Sequence, residues 1–321
     1  MKDLSELGEI IEKGIGSLNY PKSPESLYDP IQYIMGLQAK RMRPLLVLIA
    51  HQLFDENVEK SLSSSIAIEL FHNFTLLHDD IMDNAPIRRG NPTVHEKWNS
   101  NAAILSGDVM MIKAYQLLAK ADPNSLKEVL DVFSKAAVEV CEGQRWDMDF
   151  ETQDNVNLVE YMRMIEYKTA VLLAASLQIG AIIAGASKEE QTHLYNFGIN
   201  MGIAFQLKDD LLDVFGSPES FGKKVGGDIL ANKKTFLYLK ALQLADHSTK
   251  GKLQVYYTNN DNSEFKVNAV KNIFKNLNIQ KHTIDMMKAY YTKAMKHLGA
   301  IDSNNKEPLI LFSEKLMQRI S

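Results

Sequence analysis

Cysteine is nearly absent: Cys141 is the one thiol among 321 residues. No intramolecular disulfide framework can form, and a reducing compartment, the cytoplasm, is expected. Cys141 falls in an apolar helical run, which reads as a buried structural thiol rather than a nucleophile. Positive charge is not in excess either. The formal net charge of −4 argues against general nucleic-acid binding, so any basic site must be local. Long uncharged apolar runs are missing. The nearest, Ala170 to Ala186, contains Ser176 and Gln178 and falls short of the ~20 residues of a membrane span. It reads as a closely packed central helix, and no transmembrane segment is expected. The acidic, amphipathic start, Met1 to Lys13, has no basic region followed by an apolar one, so it does not read as a signal peptide. There is no Gly-x-x-x-x-Gly-Lys-Ser/Thr and no Gly-x-Gly-x-x-Gly, which disfavours a nucleotide held by a P-loop or a Rossmann turn.

Alternating strand patterns are scarce, and no Pro/Gly/Ser linker interrupts the chain. Hydrophobic residues make up 45% and charged residues 24%, a soluble globular balance. Helical periods dominate: 3–14, 24–39, 43–54, 59–83, 101–120, 124–149, 155–185, 188–214, 233–246, 264–276, 279–298 and 306–319. The expectation is an all-α fold, one domain over residues 1–321, built as a bundle of long helices around a central cavity. The glycine-bearing loop from Gly216 to Asp228 is a candidate lid.

The chemistry concentrates in His78 to Gly90, which packs Asp79, Asp80 and Asp83, then Arg88 and Arg89, into thirteen residues. Ile66, Leu70, Phe71, Phe74 and Leu77 precede them at helical spacing. Asp79 and Asp83 therefore share a helix face. Pro86 stops that helix, so the acids lie at its negative end, where they repel one another and the dipole. A cation relieves this, and an oxygen-only site with room for water suits magnesium. Asp209, Asp210 and Asp213 repeat the Asp-Asp-x-x-Asp pattern, again after an apolar helical run and before Gly216 and Pro218. Two such helix ends could face each other across one cavity. The first is not a calcium loop: counting from Asp79 or Asp80, the third position is Ile81 or Met82, which offers no side-chain oxygen, and no glycine sits at the sixth.

Small cationic groups lie near helix ends: Lys40, Arg41 and Arg43; Arg88 and Arg89; Lys168; Lys223 and Lys224; Lys233 and Lys234. Each alone is an ordinary solvated face. As a set they could neutralise an anion that also binds magnesium, with arginine as fork and lysine as point charge. With Phe71, Phe74, Leu76 and Leu77 beneath the acids, the ligand suggested is a diphosphate with a hydrocarbon tail.

These motifs resemble the trans-isoprenyl diphosphate synthases of the polyprenyl synthetase family. The resemblance rests on Asp79-Asp80-Ile81-Met82-Asp83 with Arg88-Arg89-Gly90, and on Gly202 to Asp213 with its Gln206 and second acidic motif. Gly107-Asp108, Gly143-Gln144, Lys168-Thr169, Gly227-Asp228 and Lys233-Lys234-Thr235 also stand in family order. Two departures are visible. Gln38-Ala39 stand where the family often has two glycines, and Asn232 stands where glycine is common. The resemblance implies an all-α enzyme that condenses an allylic diphosphate with isopentenyl diphosphate, using Mg2+, three ions with substrate bound, as a homodimer. It implies that Lys40, Arg43, His72 and Arg89 bind isopentenyl diphosphate. Arg88, Lys168 and Lys233 would hold the allylic diphosphate, with Lys224 closing over it. Asp79, Asp83 and Asp209 would ligate magnesium directly; Asp80, Asp210, Asp213, Asp228 and Gln144 would act through water or from behind. Thr169 and Gln206 would lie along the cleaving bond. His72 stands seven residues before Asp79, about two helical turns, on the same face.

The resemblance also implies that Phe74 floors the product tunnel, with Thr75 small beside it and Phe71 one turn deeper. A C20 geranylgeranyl product is expected, with C15 farnesyl as the alternative. A terpene cyclase is disfavoured because the second site is not of the Asn-Asp-x-x-Ser-x-x-x-Glu type. A non-catalytic partner subunit is disfavoured because both acidic motifs are intact.

Overall fold

The computed structural model describes residues 2–216, 226–258 and 263–317. In order the elements are α1 (Leu4–Gly16), α2 (Glu25–Gly36), α3 (Met42–Gln52), α4 (Glu59–Met82), the strands β1 (Ile87–Arg88) and β2 (Asn91–Pro92), α5 (Val94–Lys97), α6 (Ser100–Leu118), α7 (Pro123–Thr152) and α8 (Leu158–Ile165). A π-helical turn (Glu166–Ala170) leads into α9 (Val171–Ile183), followed by α10 (Lys188–Phe215) and α11 (Gly227–Leu230). The chain continues through α12 (Phe236–Leu244), α13 (His247–Thr258), α14 (Glu264–Asn276), α15 (Ile279–Gly299) and α16 (Glu307–Met317).

The fold is all-α, as the periodicity requires, and its departures from expectation have local causes. The span expected as one helix over 155–185 is interrupted by the π turn, where the 3.6-residue period gives way to one extra residue. The hairpin, α5 and α11 are too short to show a period. In α13 only Leu253 and Tyr257 are buried, too few to mark a face. Cys141 is exposed, correcting the expectation of a buried thiol: α7 turns that position outward. The Leu158–Ile183 span is long and apolar enough to cross a membrane by composition, but 78% of its most apolar window is buried within the protein.

Two compact units can be distinguished. One comprises Met1–Ser134, Ala175–Leu194 and Asp302–Leu309; the other comprises Lys135–Ala174, Tyr195–Ile301 and Ile310–Ser321. In the first unit α4 is central. Every residue from Ser64 to Phe71 is buried, the polar Ser64, Ser65 and Glu69 included, so this stretch is covered on all sides. In the second unit Phe236, Leu237, Val270, Phe274, Ile279 and Met287 form a core at zero exposure. Each fully buried side chain of this size contributes about 1.5–3 kcal/mol. Asn157 starts α8 with a capping box: its side chain accepts from the amides of Val159 and Glu160, while Glu160 accepts from the amide of Asn157. That cap fixes the helix that carries Tyr161.

Candidate active site

The first acidic motif closes α4. The Asp83 amide donates to the Asp79 carbonyl at 2.8 Å, and the Ala85 amide donates to the Asp80 carbonyl at 2.9 Å. The chain then turns through Asn84 at φ 48° and Pro86 into the hairpin, where Arg88 pairs with Asn91. Its two-residue turn places Arg89 at φ 53° and Gly90 at φ 75°, the double left-handed geometry of a type I′ turn. Glycine at the second position adopts it without the Cβ penalty.

This turn sends the two arginines to different partners. Arg88 forks onto Asp80, with Nε 2.8 and 2.7 Å from Oδ1 and Oδ2 and Nη2 2.5 Å from Oδ1. Asp80 is only 2% exposed, so Arg88 is its neutralising partner. Arg89 Nη1 instead donates to Asn73 Oδ1 at 3.2 Å. Beside it Arg43 Nη1 stands 3.0 Å from His72 Nε2. Burial first, then Arg43 and Arg89, hold His72 well below the usual histidine range, so it is neutral and Nε2 accepts from Arg43. Burial, and secondarily Arg89, lowers Arg43 to about 10, which leaves it a cation at neutral pH. The structure thus brings Arg43, His72 and Arg89 together, with Lys40 exposed on the segment that leads to Arg43.

Among the described residues, no three His, Cys, Asp or Glu side chains already form a metal cage. Asp80 is turned to Arg88, leaving the half-buried Asp79 and exposed Asp83 on the last turn. Magnesium is usually held by one or two carboxylates plus phosphate oxygens and water. Two carboxylates one turn apart at the negative end of a helix fit that demand.

In the second unit, Asp147, Tyr161, Lys168, Thr169, Gln206, Asp210, Asp228 and Lys233 line a cavity of about 110 Å³. The π turn presents Lys168 and Thr169 into it. Lys168 Nζ reaches Asp147 Oδ2 at 2.5 Å, and Thr169 Oγ1 donates to Gln206 Oε1 at 3.1 Å. The Gln206 amide then donates to Asp210 Oδ1 at 3.1 Å, and the Tyr161 hydroxyl donates to Asp210 Oδ2. Burial, and then Asp228, raises the Asp210 carboxyl to about 7 against those two hydrogen bonds. Asp213 binds the segment that follows: its carboxylate accepts from the Asp228 amide at 3.0 Å and its carbonyl from Gly226 at 2.7 Å. Asp209 is half-buried on the same turn of α10. Lys224, with Lys223 and most of the candidate lid, lies outside the described residues.

Several participants were not singled out in the sequence. Tyr161 and Asp147 come from α8 and α7 as single polar residues within helical runs. Gly143 carried a motif but no stated role. A Cβ there would lie 2.3 Å from the Lys168 backbone nitrogen, so only glycine lets α7 approach the π turn so closely. Asn232, the departure from glycine, keeps the left-handed backbone at φ 56°, and its side-chain oxygen accepts from the buried Lys266 at 2.6 Å. Lys234 is a tether: its ammonium bonds the carbonyls of Phe150 and Gln153 at 2.6 and 2.7 Å, near the end of α7, where a cation is favoured.

Phe74 packs its ring 5.6 Å from Phe71 and 4.7 Å from His78, against Gly107 of α6. Phe71 in turn meets Phe133 at 5.1 Å. Thr75 is half-buried and bonds back to the His72 carbonyl at 2.8 Å.

The family model described as Polyprenyl synthetase matches residues 24–275. A geranylgeranyl diphosphate synthase of Methanosarcina mazei is 42% identical over 235 residues, covering 73% of this chain and 72% of its own. One of Sulfolobus acidocaldarius is 36% identical over 95% of this chain and 92% of its own. A crystal structure of a geranylgeranyl pyrophosphate synthase superposes at TM-score 0.95, with 43% identity and 100% of both chains covered. Two acidic helix ends, each with its own arginine or lysine groups, sit on a fold and a sequence shared with these enzymes; the chain belongs to the polyprenyl synthetase family and is a trans-prenyltransferase.

Proposed function

We propose that this prenyltransferase condenses an allylic diphosphate with isopentenyl diphosphate, head to tail, and releases C20 geranylgeranyl diphosphate. The observation that carries the reading is the grouping of Arg43, neutral His72 and Arg89 beside the first acidic helix end. It offers forked donors and a hydrogen-bonding imidazole to a diphosphate, next to carboxylates that suit magnesium. The names of the relatives support C20, as does the tilted packing of Phe74 on Phe71 beneath the acids.

Asp79 and Asp83 on one helix end, and Asp209 on the other, would hold magnesium, with Asp80, Asp210 and Asp213 behind them. When bound, the metal offsets the charge that builds on the leaving diphosphate. Lys168, Lys233 and Arg88 add fixed positive charge to that leaving group. Thr169 and Gln206, bonded to each other at 3.1 Å, would lie along the carbon–oxygen bond that breaks. Breaking it gives an allylic cation. The double bond of isopentenyl diphosphate, held by Arg43, His72, Arg89 and Lys40, attacks that cation. A proton then leaves to the released diphosphate, as the resemblance to the family implies. Water must be excluded, or the cation gives an alcohol, and Lys224 is assigned to closing the site.

Residues 1–321 would serve as one synthase domain, acting in the cytoplasm as a homodimer. Ile104, Ile112 and Tyr115 lie along one face of α6 and are 41, 55 and 37% exposed; this apolar stripe is the proposed dimer surface. Sedimentation at micromolar concentration should give twice the monomer mass. The deciding experiment incubates the purified protein with isopentenyl diphosphate and dimethylallyl, geranyl or farnesyl diphosphate, then identifies the product. A C20 diphosphate with released diphosphate, abolished by chelation, is expected. No elongated product with any primer at saturating magnesium sinks the reading.

A further inference from the structure

Behind the proposed isopentenyl diphosphate subsite lies a buried polar chain that the motifs do not contain. Glu69, 2% exposed, sits on α4 one turn before Asn73, which has no exposure at all. Asn73 spends its amide nitrogen on Glu69 twice, donating to the backbone carbonyl at 2.8 Å and to Oε1 at 2.9 Å. With both donors committed, the amide cannot flip without two buried acceptors losing their partner. Its oxygen is therefore held outward, and that oxygen accepts from Arg89 Nη1 at 3.2 Å. On the other side Glu69 Oε1 accepts from Arg41 Nη1 at 2.8 Å. Arg41 is itself fixed by Glu12 at 3.1 Å and by the carbonyls of Met35 and Leu37 at 2.5 and 3.3 Å. Arg41 thus never reaches the substrate face. It locks Glu69, Glu69 locks the amide of Asn73, and the amide aims Arg89.

We infer that Asn73, oriented by Glu69 and Arg41, is the positioning residue for Arg89 in the isopentenyl diphosphate subsite. The choice of an amide has a physical reason. A carboxylate at position 73 would satisfy Arg89 but would neutralise the charge that the diphosphate needs, and it would face Glu69 at hydrogen-bond distance. An apolar residue would release the guanidinium. The amide holds Arg89 while leaving its charge available. The inference rests on the reading of Arg89 as a ligand of isopentenyl diphosphate.

The test is steady-state kinetics on the full chain. Asn73→Leu should raise KM for isopentenyl diphosphate about tenfold, the scale of one lost hydrogen bond to a charged group. It should leave KM for the allylic substrate within about twofold of wild type. In an Arg89→Ala background the same substitution should add nothing, because it acts through Arg89. Equal rises in both KM values, an unchanged KM for isopentenyl diphosphate, or a full further loss in the Arg89→Ala background overturns the inference. Should Asn73→Leu not fold, Asn73→Asp combined with Glu69→Gln decides the matter. The pair keeps one carboxylate between Arg41 and Arg89 but sets it directly against Arg89, so KM for isopentenyl diphosphate should rise while KM for the allylic substrate stays within about twofold of wild type. An unchanged KM for isopentenyl diphosphate in that variant overturns the inference equally. If the wild type makes no condensation product, the functional reading has failed; if it does and these variants behave otherwise, only the role of Asn73 has.

Discussion

Asp210 offers the sharpest quantitative prediction. Its carboxyl titrates at about 7 in the folded protein against 3.8 for the free side chain, through burial first and Asp228 second. The unfolded chain therefore releases this proton near pH 4 and the folded one near pH 7. Between those values the folded state binds more protons, so stability from this group is fully present at low pH and is lost as pH rises toward 7. The displacement of roughly three units corresponds to at most about 4 kcal/mol at pH 8. Asp210→Asn removes the titration while keeping an oxygen to accept from Tyr161 or Gln206. In metal-free buffer the variant should match wild type near pH 4.5 and melt about 6 °C above it by pH 8, since a chain of this size shifts by about 1.5 °C per kcal/mol. Asp228→Asn, which removes the second cause, should shift the wild-type transition to lower pH. Thermal melts in chelator from pH 4.5 to 8.5 measure all three proteins. A gap between wild type and Asp210→Asn that stays constant across that range would refute the reasoning, since it would mean that Asp210 does not hold its proton.

Other outcomes follow from the same geometry. Asp79→Ala and Asp209→Ala should each lower turnover by orders of magnitude with no loss of apo stability, because each removes a charge from a repulsive site; unchanged turnover would show the metal assignment to be wrong. Gly143→Ala places a methyl group 2.3 Å from the Lys168 nitrogen, so the π turn must shift. Destabilisation of about 1–3 kcal/mol together with a fall in turnover is expected from denaturant melts and rate assays, and neither changing would mean that α7 and the turn adapt freely. Phe74→Ala should lengthen the product, with Phe71 as the next floor, by chromatography of the chain; the same product at the same rate would make the ring ordinary core.

What could be read from the sequence was what is local in it. Asp79 with Asp83, and Asp209 with Asp213, are defined by spacing on a single helix, and a single helix has one period. The all-α class followed for the same reason. Partners that meet from distant segments left no trace. Tyr161 reaches Asp210 from 49 positions away, and nothing in either helix marks the pair. Asn73 and Glu69 look like routine polar residues in an apolar helix until Arg41 and Arg89 arrive from either side. The hairpin escaped because two-residue strands have no alternation to detect. Arg89 at φ 53° escaped because arginine gives no sign of a left-handed turn. Cys141 was misjudged because a helical run fixes a period but not which of its phases faces water.

The π turn at Glu166–Ala170, where the Val171 amide reaches back to the Glu166 carbonyl, bears on how this scaffold can be altered. It holds one residue more than a regular helix needs. Removing that residue would yield an unbroken α-helix from α8 to α9, shorter and locally ideal. It would also rotate everything downstream by about 100°, so that Lys168 and Thr169 no longer stood where Asp147 and Gln206 meet them. Redesign that regularises helices for stability would thus gain a more regular helix and scramble the site. Among the edits open to a protein engineer, the one that looks like a repair is the one to avoid.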